Sequence, residues 1–459
     1  MTNSFASLSL APAMISNLND LGYENMTPIQ QESLPHVLAG SDVIAQAKTG
    51  SGKTAAFGIG MLTRLNPRFF GTQGMVLCPT RELADQVAKE LRRLARFQSN
   101  IKILTLCGGV EMGPQISSLE HGAHIVVGTP GRILKHIAKR KLDLSGLETL
   151  VLDEADRMLD MGFYESMVEI IENTPAAKQT LLFSATYPKE IRELSSRFQR
   201  NPVEVTVESV HSSTHIEQHF YEVENKKKIA AIAALLLHFK PGSCVLFCNT
   251  KQRCDEVMTE LAKSGFSVLA LHGDLEQKDR DQVLVRFANG SSPLLVATDV
   301  AARGLDIKDL EAVINVDVAF NPEVHIHRIG RTGRAGQTGL ALTLCAPSEA
   351  NCANAIQDLL QQKLRWQELP DVSPEAKPSL PQMATIAIQG GKKDKLRPGD
   401  ILGAMTKDAG LSGDQIGKID IFDQHAYVAV DRNIIGTALK KLESVKIKGR
   451  SFKMRKLGR

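Results

Sequence analysis

Two short segments carry the residues best suited to chemistry. The first is Ala47-Lys48-Thr49-Gly50-Ser51-Gly52-Lys53-Thr54, between an apolar run at 42–45 and a helix-compatible stretch beginning at Ala55. Gly50 and Gly52, with Ser51 between them, let backbone amides curl around phosphates, and the N-terminus of the following helix adds a favourable dipole. Lys53 is then positioned to meet the β- and γ-phosphates, and Thr54 to hold Mg2+. The usual first glycine of such a loop is Ala47 here. The second segment is Asp153-Glu154-Ala155-Asp156, preceded by the apolar Leu150-Val151-Leu152. A carboxylate at the C-terminal end of a strand is where a phosphate-loop fold places its metal-binding residue. Asp153 suits Mg2+, held through water, and Glu154 suits a base that orients an attacking water.

Such residues need strands to hold them and helices to cover the strands. Short β-rich apolar runs at 74–78, 101–106, 125–127, 149–152 and 180–183 alternate with helical stretches. The alternation repeats at 244–248, 267–271, 293–297, 312–316 and 339–344. It predicts two α/β domains, each a parallel sheet with helices on both faces. Their expected limits are 1–207 and 217–367, with a polar hinge at 208–215. A linker at 368–382 contains Pro370, Pro374, Pro378 and Pro381 and should be extended and poorly packed. Beyond it, strands at 384–388, 418–422, 426–430 and 451–456 and helices at 398–409 and 434–442 give the order β-α-β-β-α-β. That is the layout of a small α+β RNA-recognition module over 383–459.

At 459 residues, about three domains are expected. The net charge of +4 hides an asymmetry: residues 375–459 hold 17 basic and 9 acidic side chains, a balance of +8, leaving −4 for the rest. A basic terminal module points to an anionic partner. No apolar run approaches the ~18 residues of a membrane span, and the first residues lack the pattern of a signal peptide. The seven cysteines include no C-x-x-C pair and mostly lie in apolar runs, as buried small hydrophobes do in a reducing compartment. A cytoplasmic location is expected.

Asp153-Glu154-Ala155-Asp156 spells the D-E-A-D signature, and with the segments around it the chain resembles the DEAD-box family of ATP-dependent RNA helicases. Phe5, Gly22-Tyr23 and Thr27-Pro28-Ile29-Gln30 resemble the family's adenine-reading motif. There Gln30 offers donors and an acceptor to adenine, and Tyr23 could stack on the base. The resemblance makes Ser184-Ala185-Thr186 the segment that couples hydrolysis to strand separation, along with His327. In the second block Arg331 and Arg334 match arginine-finger positions, and Gly304 and Asp306 also meet the nucleotide. Catalysis therefore falls to Lys53, Glu154, Arg331 and Arg334, with ATP and Mg2+ as cofactors.

The same resemblance implies an RNA path lined by Pro79, Thr80, Arg81, Gly109, Thr129, Gly131 and Arg132 in the first domain. In the second it runs along Asn249, Thr250, Gln277, Arg280, Thr298 and Asp299. Hydroxyls, glycine amides and arginines contact phosphate and 2′-OH without reading bases. With half the site on each domain, ATP and RNA together are expected to drive closure and local unwinding. An ATP-gated RNA clamp and a general RNA chaperone of the cold-shock type are the alternative readings.

The terminal segment from Gly390 to Ile401 resembles the branch of the family that acts on large-subunit (23S-type) ribosomal RNA during ribosome assembly. Lys392, Lys393 and Lys395 are its expected RNA contacts. Of the aromatic stacking positions in such modules, only Tyr427 is kept. The linker is expected to let the module bind as an independent tethered unit.

Overall fold

A computed structural model of the chain describes residues 3–47, 50–207, 216–302, 310–333, 338–373, 375–443 and 445–458. The hinge expected at 208–215 lies outside these residues, as do Gly304, Asp306 and Arg334. The described residues form two compact units, one up to residue 207 and one from residue 216 onward.

In the first unit, strands β1 (Val43–Gln46), β2 (Gly74–Leu77), β3 (Ile103–Leu106), β4 (Ile125–Gly128), β5 (Thr149–Asp153), β6 (Gln179–Ser184) and β7 (Val203–Thr206) form one sheet. Their order is β3-β4-β2-β5-β6-β1-β7, all parallel. Because helices cover both faces, the central strands are apolar on both sides, and every residue of β2, β4, β5 and β6 is buried. The helix Arg81–Leu94 shows how the sequence does this. Thr80 caps it, and Leu83, Ala84, Val87, Ala88, Leu91 and Leu94 put one face into the core.

The second unit begins with a sheet of β8 (Ile216–Glu222), β9 (Cys244–Cys248), β10 (Val268–Leu271), β11 (Leu294–Thr298), β12 (Ala312–Asn315), β13 (Gly339–Cys345) and β14 (Trp366–Gln367). The order is β10-β11-β9-β12-β13-β8-β14, again parallel. Three strands missing from the sequence expectation, β7, β8 and β14, sit at or next to sheet edges, where exposure dilutes the apolar signal. All seven cysteines are free thiols, six of them buried.

After residue 367, the described residues up to 382 contain no helix or strand, as expected of the proline-rich segment. The small domain follows with β15 (Met383–Ile388), β16 (Ile416–Ile421), β17 (Ala426–Asp431) and β18 (Met454–Lys456), in the order β16-β17-β15-β18, antiparallel. Ala384, Ile386 and Ile388 of β15 and Ala426, Val428 and Val430 of β17 face the domain's own helices. The alternate residues, Ala387 and Tyr427, form a second apolar cluster with Leu457 and with Val285 of the helix Gln277–Ala288. Beside it Thr385 accepts a hydrogen bond from Asn289 Nδ2 at 3.0 Å and meets Ser291 Oγ at 2.7 Å.

The expectation of an independent tethered module is therefore corrected. The sheet face opposite the small domain's helices is seated on the second sheet domain. The central strands β15 and β17 are buried on both sides, and leaving the second face in water would expose the Tyr427 ring and Ala387.

Candidate active site and nucleic-acid interface

The chemical residues gather at the carboxyl ends of the parallel strands, where open α/β sheets hold ligands. In the first unit they divide into two groups. Loops after β1, β5 and β6, with Tyr23 and Gln30 ahead of β1, carry the nucleotide and coupling candidates, and loops after β2, β3 and β4 carry the RNA-path candidates.

Around the phosphate loop, Gly50 and Gly52 have φ of +86° and +93°, the left-handed region that glycine reaches without strain. A Cβ on Gly52 would stand 2.4 Å from Gln30 Nε2, so this glycine is also needed for close approach. Gln30 is buried; its Nε2 donates to Gly52 O (3.0 Å) and its Oε1 accepts from Thr27 N (3.0 Å). One N–H and one lone pair remain, the pair of groups an adenine edge requires. Tyr23 is tied down differently. Its hydroxyl donates to Glu90, its ring stands edge-on to Phe5 at 6.2 Å, and burial beside Glu90 pushes its phenol well above the ordinary value. Its expected stacking on adenine gains no support from these contacts.

Lys53 is buried at the start of the helix Lys53–Arg64, with Thr54 next to it, and its Nζ donates to Ala47 O at 2.8 Å. Asp153 ends β5 with Oδ1 buried and without a hydrogen-bond partner, and Ser51 Oγ is likewise unpartnered. An orphaned carboxylate oxygen beside a buried lysine is costly unless a ligand completes the set. Burial pushes the Asp153 carboxyl up to about 7; Lys53 opposes this shift and Glu154 adds to it. Among the described residues no group of three or more His, Cys, Asp or Glu side chains could hold a metal ion. Mg2+ commonly binds through one or two protein oxygens plus substrate phosphates, and Asp153 and Thr54 fit that sparse donor set.

Glu154 adopts φ +52°, and its Oε2 pairs with Arg157 Nη1 at 2.7 Å, both side chains buried. The fourth residue of the signature does what the sequence did not reveal. Asp156 Oδ2 accepts from Ala185 N (3.2 Å), Thr186 N (2.9 Å) and Thr186 Oγ1 (3.1 Å), while Asp156 N donates to Ser184 Oγ (3.2 Å). The acidic segment and Ser184-Ala185-Thr186 are thus one hydrogen-bonded body.

The RNA-path candidates of the first unit lie on adjoining loops. Thr80 Oγ1 accepts from Leu83 N, and Arg81 lies so close to Gly109 that a Cβ there would be 1.5 Å from Arg81 Nη1. Arg132 donates to Val110 O and to Gln115 Oε1, each at 2.9 Å, in a helix that starts after Thr129 and contains Gly131. Pro79 immediately precedes the Thr80 cap.

In the second unit, adjacent strands β10, β11 and β9 bring Thr298, Asp299, Asn249 and Thr250 to one edge. Thr250 caps its helix through Arg253 N. Arg280 Nη1 donates to His272 O at 3.4 Å, and Gln277 Nε2 to Asp281 at 2.8 Å. At the centre stands Arg328, 1% exposed, to which the sequence alone gave no role. It reaches Asp299 through Nε and Nη2, Asn249 Oδ1 through Nη2 and Asp317 O through Nη1, each at 2.7 Å. Asp317 in turn accepts from Asn249 N and from the fully buried Lys228, whose Nζ also meets Glu349 at 2.6 Å. Isolated lysines and aspartates give no sequence cue to such a network; only the strand order brings them together. His327 and Arg331 follow on the same helix and its end, His327 half-buried and Arg331 buried.

The small domain joins basic groups that are far apart in sequence. Lys392, Lys393, Lys395 and Arg397 are exposed, and Lys448 Nζ donates to Lys395 O at 2.8 Å, placing the segment 446–450 beside them.

Comparison with known proteins accounts for this arrangement. Residues 27–194 match the DEAD/DEAH box helicase family, 227–336 the helicase conserved C-terminal domain, and 385–456 the DbpA RNA binding domain. The ATP-dependent RNA helicase DbpA of Escherichia coli (strain K12) is 57% identical over 448 residues, 98% of each chain. The chain belongs to the DEAD-box ATP-dependent RNA helicases. CshA of Bacillus subtilis (strain 168), a DEAD-box ATP-dependent RNA helicase, is 42% identical over 365 residues, 79% of this helicase and 74% of that one. S. cerevisiae Dbp5 bound to RNA and ADP BeF3 matches in fold with a TM-score of 0.73 at 30% identity, over 80% of this helicase and 96% of that chain. The two parallel sheets of the helicase are its tandem RecA-like domains, and the third domain is of the DbpA RNA-binding type, as the sequence implied. No described helix is long and apolar enough to cross a membrane.

Proposed function

We propose that this helicase remodels large-subunit ribosomal RNA during ribosome assembly, with ATP hydrolysis performed by the residues gathered around Asp153. Lys53 neutralises the β- and γ-phosphates, Gln30 selects adenine with its free N–H and lone pair, and Gly50, Ser51 and Gly52 cradle the phosphates. Thr54 and Asp153 hold Mg2+, which screens charge on the phosphoryl group being transferred. Glu154 orients the attacking water. Arg331, with Arg334, supplies positive charge to the γ-phosphoryl group. The phosphate loop and Glu154 belong to the first domain and Arg331 to the second, so neither domain alone has a full set.

Coupling follows from Asp156. Its carboxylate binds Ala185 and Thr186 while its neighbours bear the chemistry, so a change at Glu154 is carried to Ser184 and Thr186 through hydrogen bonds rather than a loose linker. Asn249, Thr250, Thr298, Asp299, Gln277 and Arg280 grip the RNA backbone, and Arg328 holds the first of these loops against Asp299.

The observation that carries the ribosomal reading is the third domain. Its sheet face is buried against the second RecA-like domain, and its exposed surface around Lys392, Lys393, Lys395 and Lys448 is basic. A full-length ATPase titration tests it. Large-subunit ribosomal RNA should stimulate turnover at concentrations well below those of unrelated RNA of equal length. Replacing Lys392, Lys393 and Lys395 with Ala should erase that preference and flatten the salt dependence, by about 0.7 in log–log slope for each phosphate that is no longer neutralised. Equal stimulation by both RNAs in the wild type would refute the ribosomal target.

A further inference from the structure

Phe320 is 80% exposed, the most open large apolar side chain among the described residues. Single exposed apolar residues are ordinary on protein surfaces. This one differs in how firmly its loop is held and in what holds it. The loop runs from β12 to the helix Pro322–Ile329, and Val318 and Ala319, just before the ring, are both 1% exposed. Its backbone is pinned by Arg328 Nη1 on Asp317 O (2.7 Å), Asn249 Nδ2 on Val318 O (2.9 Å) and Val318 N on Glu349 Oε1 (3.1 Å). Asn321 closes the loop by accepting from Glu323 N at 2.9 Å. The backbone that presents the ring to water is thus held in place on both sides of it.

Two of those clamps, Asn249 and Arg328, belong to the edge proposed to hold RNA. β12 and β9 are neighbours in the sheet, with Asn315 opposite Phe247, so the loop bearing Phe320 leaves the sheet beside the loop bearing Asn249 and Thr250. Other rings in this unit are poorly suited to a base. Tyr427 is 3% exposed in the seat of the small domain, and Trp366, 49% exposed, lies on the edge strand β14, four strands away from β9.

We propose that Phe320 is a stacking platform for an unpaired RNA base, next to the phosphates gripped by the Asn249–Thr250 loop. Every base offers a π-face, so the contact tolerates any sequence, but it needs a base whose face is not covered by a duplex neighbour. It therefore favours a single-stranded nucleotide at this point and penalises a continuous stacked helix. The inference rests on the reading of Asn249 and Thr250 as RNA contacts.

The test uses the full-length protein, an ATP analogue that is not hydrolysed, and single-stranded oligoadenylates carrying one 2-aminopurine moved stepwise along the strand. In the wild type one position should be quenched on binding beyond its neighbours. Phe320→Leu, still apolar but without a π-face, should lose that quench and bind RNA about 5- to 150-fold more weakly. Phe320→Trp should restore both. Thr250→Ala separates the two readings. If it weakens binding while Phe320→Leu leaves affinity and the quenching profile intact, the RNA path stands and the stacking platform is overturned. If neither variant changes binding, the edge carries no RNA and both readings are overturned.

Discussion

Arg328→Met removes a guanidinium that is 1% exposed while keeping much of its volume, and the structure sets the expected cost. Four charge-assisted hydrogen bonds of 2.7 Å disappear, to Asp299 twice, Asn249 and the carbonyl of Asp317. The guanidinium also lies 5.4 Å from the centre of the Phe247 ring. Breaking one partner of a buried pair costs about 3–5 kcal/mol, and here it leaves Asp299, with 22% of its side chain exposed, without its cation. With a urea m-value of about 2 kcal/mol/M, the unfolding midpoint of the second RecA-like domain should fall by about 1.5–2.5 M. The helicase carries its own reporter: the single tryptophan, Trp366, sits on the edge strand of that domain and packs on Phe220. Arg328→Lys should recover little, since one ammonium cannot span the three groups that the planar fork reaches. Both variants should weaken RNA binding, because Asn249 and Asp299 lose their common anchor. A midpoint shift below about 0.5 M in Arg328→Met, roughly 1 kcal/mol on the same m-value, would refute the network as the element that holds this edge together.

Glu154→Gln should preserve binding of ATP and RNA while stopping turnover; RNA dissociation in the presence of ATP should become much slower than in the wild type, as read by filter binding. With the Asp153 carboxyl pushed up to about 7 by burial, Mg2+-dependent binding of an ATP analogue should strengthen about tenfold per unit as pH rises toward about 7 and level off above it. Since this folded-state value exceeds the ordinary 3.8, the ligand-free protein should lose stability as pH rises between about 4 and about 7, and Asp153→Asn should flatten both profiles. Thr385→Arg inserts a cation where Asn289 and Ser291 meet the small domain, so distances between spin labels on the second and third domains should broaden from one narrow population to many.

Much of this helicase was legible in the chain itself. The phosphate loop, the acidic tetrad and the alternation of β-rich runs with helical stretches are local signals, set by backbone geometry and by the period of burial. Gly50 and Gly52 could be read because a left-handed φ demands glycine, and the strand ends could be read because central parallel strands are apolar throughout. The order β-α-β-β-α-β of the small domain emerged the same way. The strands at or next to the sheet edges, β7, β8 and β14, did not, since partly exposed strands blend into loops.

What only the tertiary structure decided depends on contacts far apart in sequence. Asp156 and Thr186 are 30 residues apart, Asn249 and Arg328 79 apart, and Lys228 and Glu349 121 apart, and no residue-type pattern pairs them. The seat of the small domain belongs to the same class, though a trace of it was present. Ala384-Thr385-Ile386-Ala387-Ile388 and Ala426-Tyr427-Val428-Ala429-Val430 are nearly apolar on both faces. A sheet with one face in water alternates strictly, and a second apolar face means a second neighbour. The sequence could announce that neighbour, but Val285, Asn289 and Ser291 could be identified as the surface it meets only once the chain had folded.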